Sequence, residues 1–304
     1  MKSKLLVYLG VAVMAAAAHA TLEDTPEVPS DIVRTEVNNG NLILEDVPYI
    51  PADIVTSLNR YQNVRSAGFR AWDLAGEGVY VSTRFGDVSQ IHRVDQPGGA
   101  RHQLTFFKEP VGGLSRQPGG SQLAFTMDAG GSEFAQIFLM DPASTEEPVM
   151  LTDGESRNSA VVWDRAGQRI AFQSTRRNGA SNDIWLMDVT DPAGAALAWE
   201  SPDGTYWGPV DFAPDGGSLL IINYVGNADS RIHLLDLASG DSRMVAGDPG
   251  APSSNFPVAF DHEGTGFWFI TDIGGDFQQL AWQSLAERAE PIILTADIPW
   301  NVEG

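Results

Sequence analysis

The chain of 304 residues contains no cysteine and few positive charges. The missing thiols exclude disulfides, thiolate metal sites and a cysteine nucleophile. Lys and Arg number 19 against 40 Asp and Glu, which gives a net charge of −21 at pH 7. So negative a surface repels phosphate backbones, which excludes nucleic acid as a partner. Only 19% of the residues are charged and 43% are hydrophobic, a composition typical of folded globular proteins.

Long apolar runs are also lacking, with one exception at the amino terminus. Lys2 and Lys4 precede an apolar run that extends from Leu5 to Ala18, and small residues follow at the positions that signal peptidase reads. The run is shorter than the roughly 20 residues that a membrane-spanning helix needs. We therefore predict that residues 1–20 are a signal peptide cleaved after Ala20. The mature chain is expected in the periplasm or outside the cell, without a membrane span.

A repeat of 46 to 48 residues occupies most of the remaining chain. Its clearest element is a short apolar segment of the type DIWLMD, preceded in each unit by a Gly-containing turn and a strand-like run. The aliphatic second position of this segment falls at Ile91, Ile137, Ile184, Ile232 and Leu280. An aromatic residue stands before most of the turns, at Trp72, Trp163, Phe212 and Phe260. A third element with Leu-Thr closes several units, at 103–107, 149–154 and 292–297. Concordant copies in separate registers indicate a true repeat.

Each unit is predicted to contain four short strands. Runs of β-branched, aromatic and aliphatic residues bounded by Gly, Asp, Asn and Pro favour strands over helices. Four strands within about 40–50 residues are typical of a β-propeller blade, whereas a β-sandwich would not need this period. We predict an all-β fold, a β-propeller with about five four-stranded blades in an incomplete ring. The predicted blades span about 67–110, 111–157, 158–206, 207–254 and 255–304.

Residues 21–66 form a predicted lead-in of different character. Residues 21–40 are polar and acidic with little periodicity, and 41–47 are predicted to form one strand. Pro51 is suited to open a short helix, which is expected to pack on the propeller. The apolar face of this helix consists of Ile54, Val55, Leu58 and Tyr61.

The repeat carries a resemblance to known families. The Pro-Asp-Gly turn at 214–216, with the IWLMD-type strands, resembles the TolB-like (WD40-like) propeller repeat of exported proteins. The chain also resembles the amino-terminal part of the S9 (prolyl oligopeptidase) serine peptidases over nearly all of its mature length. The segments that carry this second likeness are 50–73, 81–94, 98–107, 151–163, 174–179 and 297–304. The resemblance implies a propeller that caps a downstream α/β-hydrolase domain and limits access to short peptides. It further implies peptide hydrolysis by a Ser-Asp-His triad through an acyl-enzyme, with no cofactor.

The nucleophile of such a peptidase is missing from this sequence. A strained strand-to-helix turn that exposes a Ser hydroxyl needs the pattern Gly-x-Ser-x-Gly, and the nearest segments, 130–134 and 154–158, lack the closing Gly. The alternation of strands with long helices is also missing. We therefore predict no catalytic residue, no metal and no cofactor, and we interpret the chain as a piece of a peptidase that stops in the lead into a sixth unit.

Histidines offer no better catalytic candidate. His92 and His233 occupy one repeat position, which is filled in other units by Phe138, Trp185 and Ala281. A position that accepts Phe, Trp, Ala or His is predicted to be a packing position. The two histidines near turns, at 102 and 262, have no matching Ser and Asp, so a triad is not expected.

The loops after the second strand of each unit hold the candidate binding residues. The candidates are Arg84, Asp128, Glu133, Arg176, Arg177 and Asp272. Carboxylates there suit a peptide amine and arginines suit a peptide carboxylate. The alternative is that the acids shape turns and the arginines pair with acids of the next blade.

Two functions remain open. The first is the non-catalytic gating portion of an exported S9 peptidase, whose partner is a peptide substrate handled through the missing catalytic domain. The second is a stand-alone TolB-like periplasmic propeller that binds another protein. The reading frame beyond Gly304 discriminates between them.

Overall fold

The computed structural model describes residues 32–286 and 289–303, which belong to two units divided after Ile50. The predicted signal peptide lies outside the described residues. The first unit contains an antiparallel hairpin of β1 (Arg34–Val37) and β2 (Leu42–Glu45), joined by a 3-10 turn at Asn38–Gly40. β2 falls within the strand predicted at 41–47. β1 was not predicted, because its sequence RTEV has no apolar alternation and becomes a strand through pairing with β2.

The second unit begins with α1 (Ala52–Gln62), which follows Pro51 as expected. The helix buries no residue, and its predicted apolar face lies between 42% and 80% exposed. Its contact with the first blade is polar and lies at its end, where the Arg84 guanidinium donates a 2.5 Å hydrogen bond to the Gln62 carbonyl. The expected packing of its apolar face on the propeller is therefore not observed among the described residues.

The rest of this unit consists of five four-stranded antiparallel sheets in which strand order follows chain order. Blade 1 consists of β3 (Ala67–Trp72), β4 (Val79–Thr83), β5 (Gln90–Val94) and β6 (His102–Gln103). Blade 2 consists of β7 (Gly112–Arg116), β8 (Leu123–Met127), β9 (Gln136–Met140) and β10 (Val149–Met150). Blade 3 consists of β11 (Asn158–Trp163), β12 (Arg169–Ser174), β13 (Asp183–Asp188) and β14 (Asp191–Trp199). Blade 4 consists of β15 (Tyr206–Phe212), β16 (Ser218–Gly226), β17 (Asp229–Asp236) and β18 (Ser242–Ala246). Blade 5 consists of β19 (Asn255–Phe260), β20 (Gly266–Thr271), β21 (Gln279–Ser284) and β22 (Ile292–Ile293). The prediction of an all-β propeller with four-stranded blades is confirmed.

Apolar cores lie between the blades. In the core between blades 3 and 4, Ile184 of one blade packs with Phe212 and Leu219 of the next, and all three are fully buried. Equivalent cores join blades 1 and 2, 2 and 3, and 4 and 5. The repeated aliphatic residue of the third strand is at most 1% exposed in blades 1 to 4. The period of the sequence therefore reflects the spacing of these shared cores.

The first strand of every blade contains a bulge. The pairing register shifts between Phe69 and Ala71 in blade 1, and at the corresponding place in the other four blades. First strands of successive blades contact one another from β3 to β19, so they form the innermost layer. A bulge increases local twist, which suits strands crowded near an axis.

The repeated aromatic before the first turn shows where blade packing ends. Trp163, Phe212 and Phe260 are at most 6% exposed because each packs against the preceding blade. Trp72 of blade 1 is 57% exposed. In the described part of the chain, no strand of blade 5 makes more than marginal contact with blade 1.

This contrast predicts different costs for one substitution at two repeat positions. Trp163→Ala is expected to lower the free energy of unfolding by about 3–5 kcal/mol, because it opens a cavity in a closed core. Trp72→Ala is expected to cost less than about 1.5 kcal/mol, because more than half of its side chain is already in water. Urea unfolding at low protein concentration measures both. Equal losses would contradict this account of the cores.

Candidate functional site

The predicted site residues lie in loops at one end of the blades. These loops join the second and third strands, and the linkers between blades run at the same end. Arg84 belongs to blade 1, Asp128 and Glu133 to blade 2, and the arginines at 176 and 177 to blade 3, with Asp272 in blade 5. Within the described residues, no hydrogen bond or ion pair joins a predicted residue of one blade to one of another.

The acidic candidates hold backbone amides. The Asp128 carboxylate accepts a 2.8 Å hydrogen bond from the amide of Glu133, whose φ of 63° places it in a tight left-handed turn. Asp272 accepts a 2.8 Å hydrogen bond from the Ser254 amide, which lies in the linker from blade 4. Both carboxylates therefore shape loops, and each retains acceptor capacity for a further donor.

Arg177 is engaged by a buried carboxylate. Its guanidinium donates to both oxygens of Asp183, at 2.6 and 3.0 Å, and lies 3.4 Å from Glu200. The Asp183 side chain is fully buried and also accepts hydrogen bonds from the amide and hydroxyl of Ser201. The hydrogen bond to Asp183 raises the pKa of Arg177 above its ordinary value. This arrangement locks the blade 3 loop to the linker that follows it.

Arg176 and Arg84 have looser surroundings. The guanidinium carbon of Arg176 lies 4.8 Å from the centre of the Trp185 ring, and its Nε lies 3.6 Å from the Asp153 carboxylate. Burial opposes ionisation of Asp153, but hydrogen bonds from Ser156 outweigh it and lower the pKa of that carboxyl. Among residues 32–286 and 289–303, Arg84 donates only to the helix carbonyl described above, and it lines a polar cavity of about 560 Å³ with Asp87.

A repeated clamp of Gln and Thr was missed by the sequence reasoning. Gln136 begins the third strand of blade 2, and its amide oxygen accepts hydrogen bonds from the Thr152 hydroxyl at 2.7 Å and the Gly154 amide at 2.9 Å. The hydroxyl of Thr152 in turn accepts the Ile137 amide at 3.0 Å. The same pair recurs in blade 5, where the Thr295 hydroxyl donates to the Gln279 amide oxygen at 2.6 Å and accepts the Leu280 amide at 3.0 Å. In blade 1 the Thr105 hydroxyl accepts the Ile91 amide, while the Gln90 amide oxygen accepts the Phe107 amide instead of the Thr hydroxyl. The recurrence of Gln at the start of this segment and of Leu-Thr after it was the available clue.

A cavity of about 830 Å³ lies between blades 4 and 5. Asp272 lines it, together with Arg243, Asp248 and Glu290. The cavity is therefore lined by one predicted residue, and three of its four charged lining residues are acidic. Across residues 32–286 and 289–303, no group of three His, Asp or Glu side chains is placed to hold a metal ion.

The two repeat-position histidines are packed in the blades. His92 is 1% exposed and contacts Phe85, with ring centroids 5.3 Å apart. His233 lies 4.9 Å from the Trp207 ring, and burial lowers its pKa to about 4. A neutral imidazole among aromatic rings supports the packing interpretation.

Comparisons with known proteins agree on the fold. No family model matches the chain, and no curated protein sequence matches it. Among solved structures, a prolyl endopeptidase, from a study of inter-domain dynamics in catalysis and specificity, is 12% identical with a TM-score of 0.58; the match covers 89% of this chain and 46% of that chain. TolB from Acinetobacter baumannii is 15% identical with a TM-score of 0.51, covering 83% and 62%. A chain of a nidogen/laminin complex is 15% identical with a TM-score of 0.50, covering 73% and 77%.

These likenesses show the propeller fold and nothing finer. The chain spans less than two thirds of the prolyl endopeptidase and TolB chains that it matches. The predicted resemblance is supported for the propeller, while membership of the S9 peptidases is not shown. No helix in the described ranges has the length and apolar character needed to cross a bilayer.

The lowered pKa of His233 predicts a pH-dependent stability. In the folded chain His233 binds a proton less readily than in an unfolded chain, where its pKa has the ordinary value of 6.5. The neutral His233 therefore makes its full contribution to the free energy of unfolding above pH 6.5, and this contribution is lost as the pH falls toward 4. His233→Phe is expected to remove up to about 3 kcal/mol of this decline, since the repeat position accepts Phe. Urea unfolding at pH 7.5 and 4.5 measures it, with the exposed His262→Gln as control. An unchanged pH dependence in His233→Phe would contradict the assignment.

Proposed function

We propose that this chain is the gating propeller of an exported S9-type serine peptidase, a module that restricts which peptides reach a catalytic domain. The observation that carries the proposal is the fold match to a prolyl endopeptidase, which extends over 89% of this chain. The sequence segments that resemble the amino-terminal part of S9 peptidases support it further. Peptide hydrolysis is then the activity of the complete enzyme, and a peptide is its substrate.

In this proposal the chain itself positions some peptides and excludes others, and it does not react with them. Acyl transfer needs an activated nucleophile and an oxyanion hole, and the sequence has neither the Gly-x-Ser-x-Gly turn nor a cysteine. The rigid loop end of the blades can contact a peptide without reacting with it. Among the candidate residues, Arg84 is best suited to a peptide carboxylate, because its guanidinium pairs with no acid in the described residues and faces a polar cavity.

The remaining candidates have defined roles in this proposal. Asp128, Glu133 and Asp272 offer carboxylate oxygens toward a peptide amine. Arg176 retains a face that is free to contact a carboxylate, whereas Arg177 acts through the loop that it fixes to Asp183. Export by cleavage after Ala20 places the whole assembly in the periplasm or outside the cell.

A second candidate function is a TolB-like propeller that binds another protein in the periplasm. The match to TolB favours it, because the chain accounts for 62% of that protein against 46% of the prolyl endopeptidase. A further solved structure that the chain matches is a chain of a nidogen/laminin complex, which is an assembly of proteins. Such a module would use its loops to hold a protein surface.

The gating proposal predicts that the purified chain does not hydrolyse fluorogenic peptides, including Pro-containing ones, and is not labelled by a serine-reactive fluorophosphonate. The reason is that positioning without a nucleophile gives no acyl transfer. Labelling of a single Ser, with turnover that scales with protein and survives repurification, would contradict it.

The same probe distinguishes the two functions when applied to the complete product of the gene. For a peptidase, the reading frame beyond Gly304 encodes further blades and a Gly-x-Ser-x-Gly turn, and the probe labels that Ser. Replacement of this Ser by Ala is the matched control. A reading frame without a hydrolase domain would overturn the gating proposal in favour of the binding module. Amino-terminal sequencing of the secreted product tests cleavage after Ala20.

A further inference from the structure

The core between blades 1 and 2 departs from the other cores at one of its ends. The last paired residue of the first strand is aromatic in four blades, but in blade 2 it is Arg116. From this position Trp163, Phe212 and Phe260 pack into the next three cores. An arginine therefore stands where the other cores between blades contain a buried ring.

Two further positions of the repeat, apolar in the other blades, are polar here. Tyr80 of the second strand of blade 1 pairs with Arg93 of the third. The pairs at the same register in the other blades contain only Ala, Leu and Trp, and they are Ala124 with Leu139, Ala171 with Leu186, Leu220 with Leu234, and Trp268 with Trp282. Three substitutions of apolar repeat residues thus bring two guanidinium groups and a hydroxyl to one end of one core.

These three side chains line a cavity of about 240 Å³. The rest of its lining comes from turns after the first and third strands, at the end of the blades opposite the candidate peptide-binding loops. Tyr80 is only 4% exposed, and its hydroxyl has no hydrogen-bond partner among residues 32–286 and 289–303. A buried hydroxyl without a partner costs free energy, which a ligand that accepts its hydrogen bond recovers.

Arg116 supplies the positive charge that is not compensated. Its Nη1 donates a 2.9 Å hydrogen bond to the Gln117 carbonyl, and its guanidinium forms no ion pair in the described part of the chain. Arg93 differs, because it lies 3.0 Å from the carboxylates of both Asp73 and Asp95. The side of the Arg116 guanidinium that does not contact Gln117 is therefore available to an anion.

The two acids at the cavity hold the turns around it. Asp73 accepts the Glu77 amide at 3.0 Å in addition to Arg93. Asp141 accepts the Ala143 amide at 2.9 Å and the Ser121 hydroxyl at 3.2 Å. Acids recur at both turn positions in blade 3, at 164 and 188, whereas the two arginines and the tyrosine do not recur. Their negative charge disfavours a dianion in the same cavity and leaves room for a single negative charge.

We propose that this cavity binds a small organic carboxylate between Arg116 and Tyr80. A guanidinium matches the planar carboxylate with parallel hydrogen bonds, and a neutral phenol donates one more. Burial raises the pKa of Tyr80, so the hydroxyl is protonated and donates at neutral pH. A short apolar group on the ligand then lies against Leu74 and Pro142. The site lies away from the candidate peptide-binding loops and does not rest on the proposed function.

Titration of the purified chain with isovalerate tests the site, because this ion joins one carboxylate to a short branched apolar group. Isothermal titration calorimetry at constant ionic strength is expected to show saturable binding with a Kd of about 1 mM, in keeping with so small a ligand. Isovaleramide has the same shape without the charge and is expected to bind at least about tenfold more weakly, as is inorganic phosphate. N-acetylleucine distinguishes the source of the carboxylate. Binding as tight as that of isovalerate supports the site with the carboxyl end of a peptide as its ligand, and weaker binding supports it with a free small acid.

Two variants locate the binding. Tyr80→Phe removes only an unpartnered hydroxyl, so its thermal unfolding should match that of the wild type, while isovalerate is expected to bind at least about tenfold more weakly. Arg116→Gln removes the charge and is expected to weaken binding by at least the same factor. Arg243→Gln is the matched control and should leave binding unchanged, since Arg243 also donates to a backbone carbonyl and forms no ion pair in the described ranges.

Three results would overturn the proposal. A titration without saturable heat up to about 20 mM isovalerate would show that the cavity takes no such ligand. Binding of isovaleramide or phosphate as tight as that of isovalerate would exclude recognition of a carboxylate. Unchanged binding of isovalerate in Tyr80→Phe and Arg116→Gln would place the ligand elsewhere on the chain.

Discussion

Every blade of this propeller has two apolar faces and can cover neither of them alone. The fully buried Phe125 illustrates the constraint, since it belongs to blade 2 but completes its packing against Tyr80 and Ile91 of blade 1. The residue before it in the strand, Ala124, faces the other way and packs with blade 3. The stability of the propeller therefore comes from its seams, the apolar cores that each lie between two neighbouring blades. In the described chain blades 1 and 5 each have one such seam, and the inner blades have two.

The seams also decide how the polar end of the blades is built. A linker must cross from the outer strand of one blade to the inner strand of the next, and its backbone polar groups need partners where they become buried. The Gln136 side chain supplies them, because its amide nitrogen donates to the Ser156 carbonyl while its oxygen accepts from the linker. In blade 3 the Asp183 carboxylate, with Arg177, takes the same place. Many polar residues at this end are thus committed to holding linkers, which separates them from residues such as Arg84 that have capacity left.

The sequence allowed the blades to be predicted because their packing repeats. Alternating side chains and a recurrent buried aliphatic residue leave a period that survives variation of everything else. The bulge in each first strand leaves no such trace, since Ala160 adopts a φ of 52° without a Gly to reveal it. The hairpin strand Arg34–Val37 was missed for a related reason, as its residues follow no apolar pattern and depend on their partner.

How far the surroundings of the candidate site residues could be predicted depends on the range of each contact in the sequence. The turn formed by Asp128 and Glu133 is local, so a pattern of Asp and Gly sufficed to indicate it. The contact of Arg176 with Asp153 crosses from one blade to the preceding linker, and the pairing of Arg84 with the helix carbonyl depends on where α1 ends. Such contacts are set by the angle between sheets and by the path of the linkers. A single sequence does not encode these in any short pattern.

The charged residues are distributed unevenly among the blades, which the net charge of the chain does not show. A net charge of −21 suggests a uniformly acidic surface, yet residues 67–110 of blade 1 contain five Lys and Arg against five Asp and Glu, and the acids of blade 5 form no ion pair within the described chain. Within blade 5 these charges stabilise nothing, because like charges repel and no ion pair in the described chain offsets them. Charges that do not support their own blade act on whatever approaches it. The acids of blade 5 therefore act on any surface that approaches that blade, whereas the blade itself is held to its neighbour by the apolar core that it shares with blade 4.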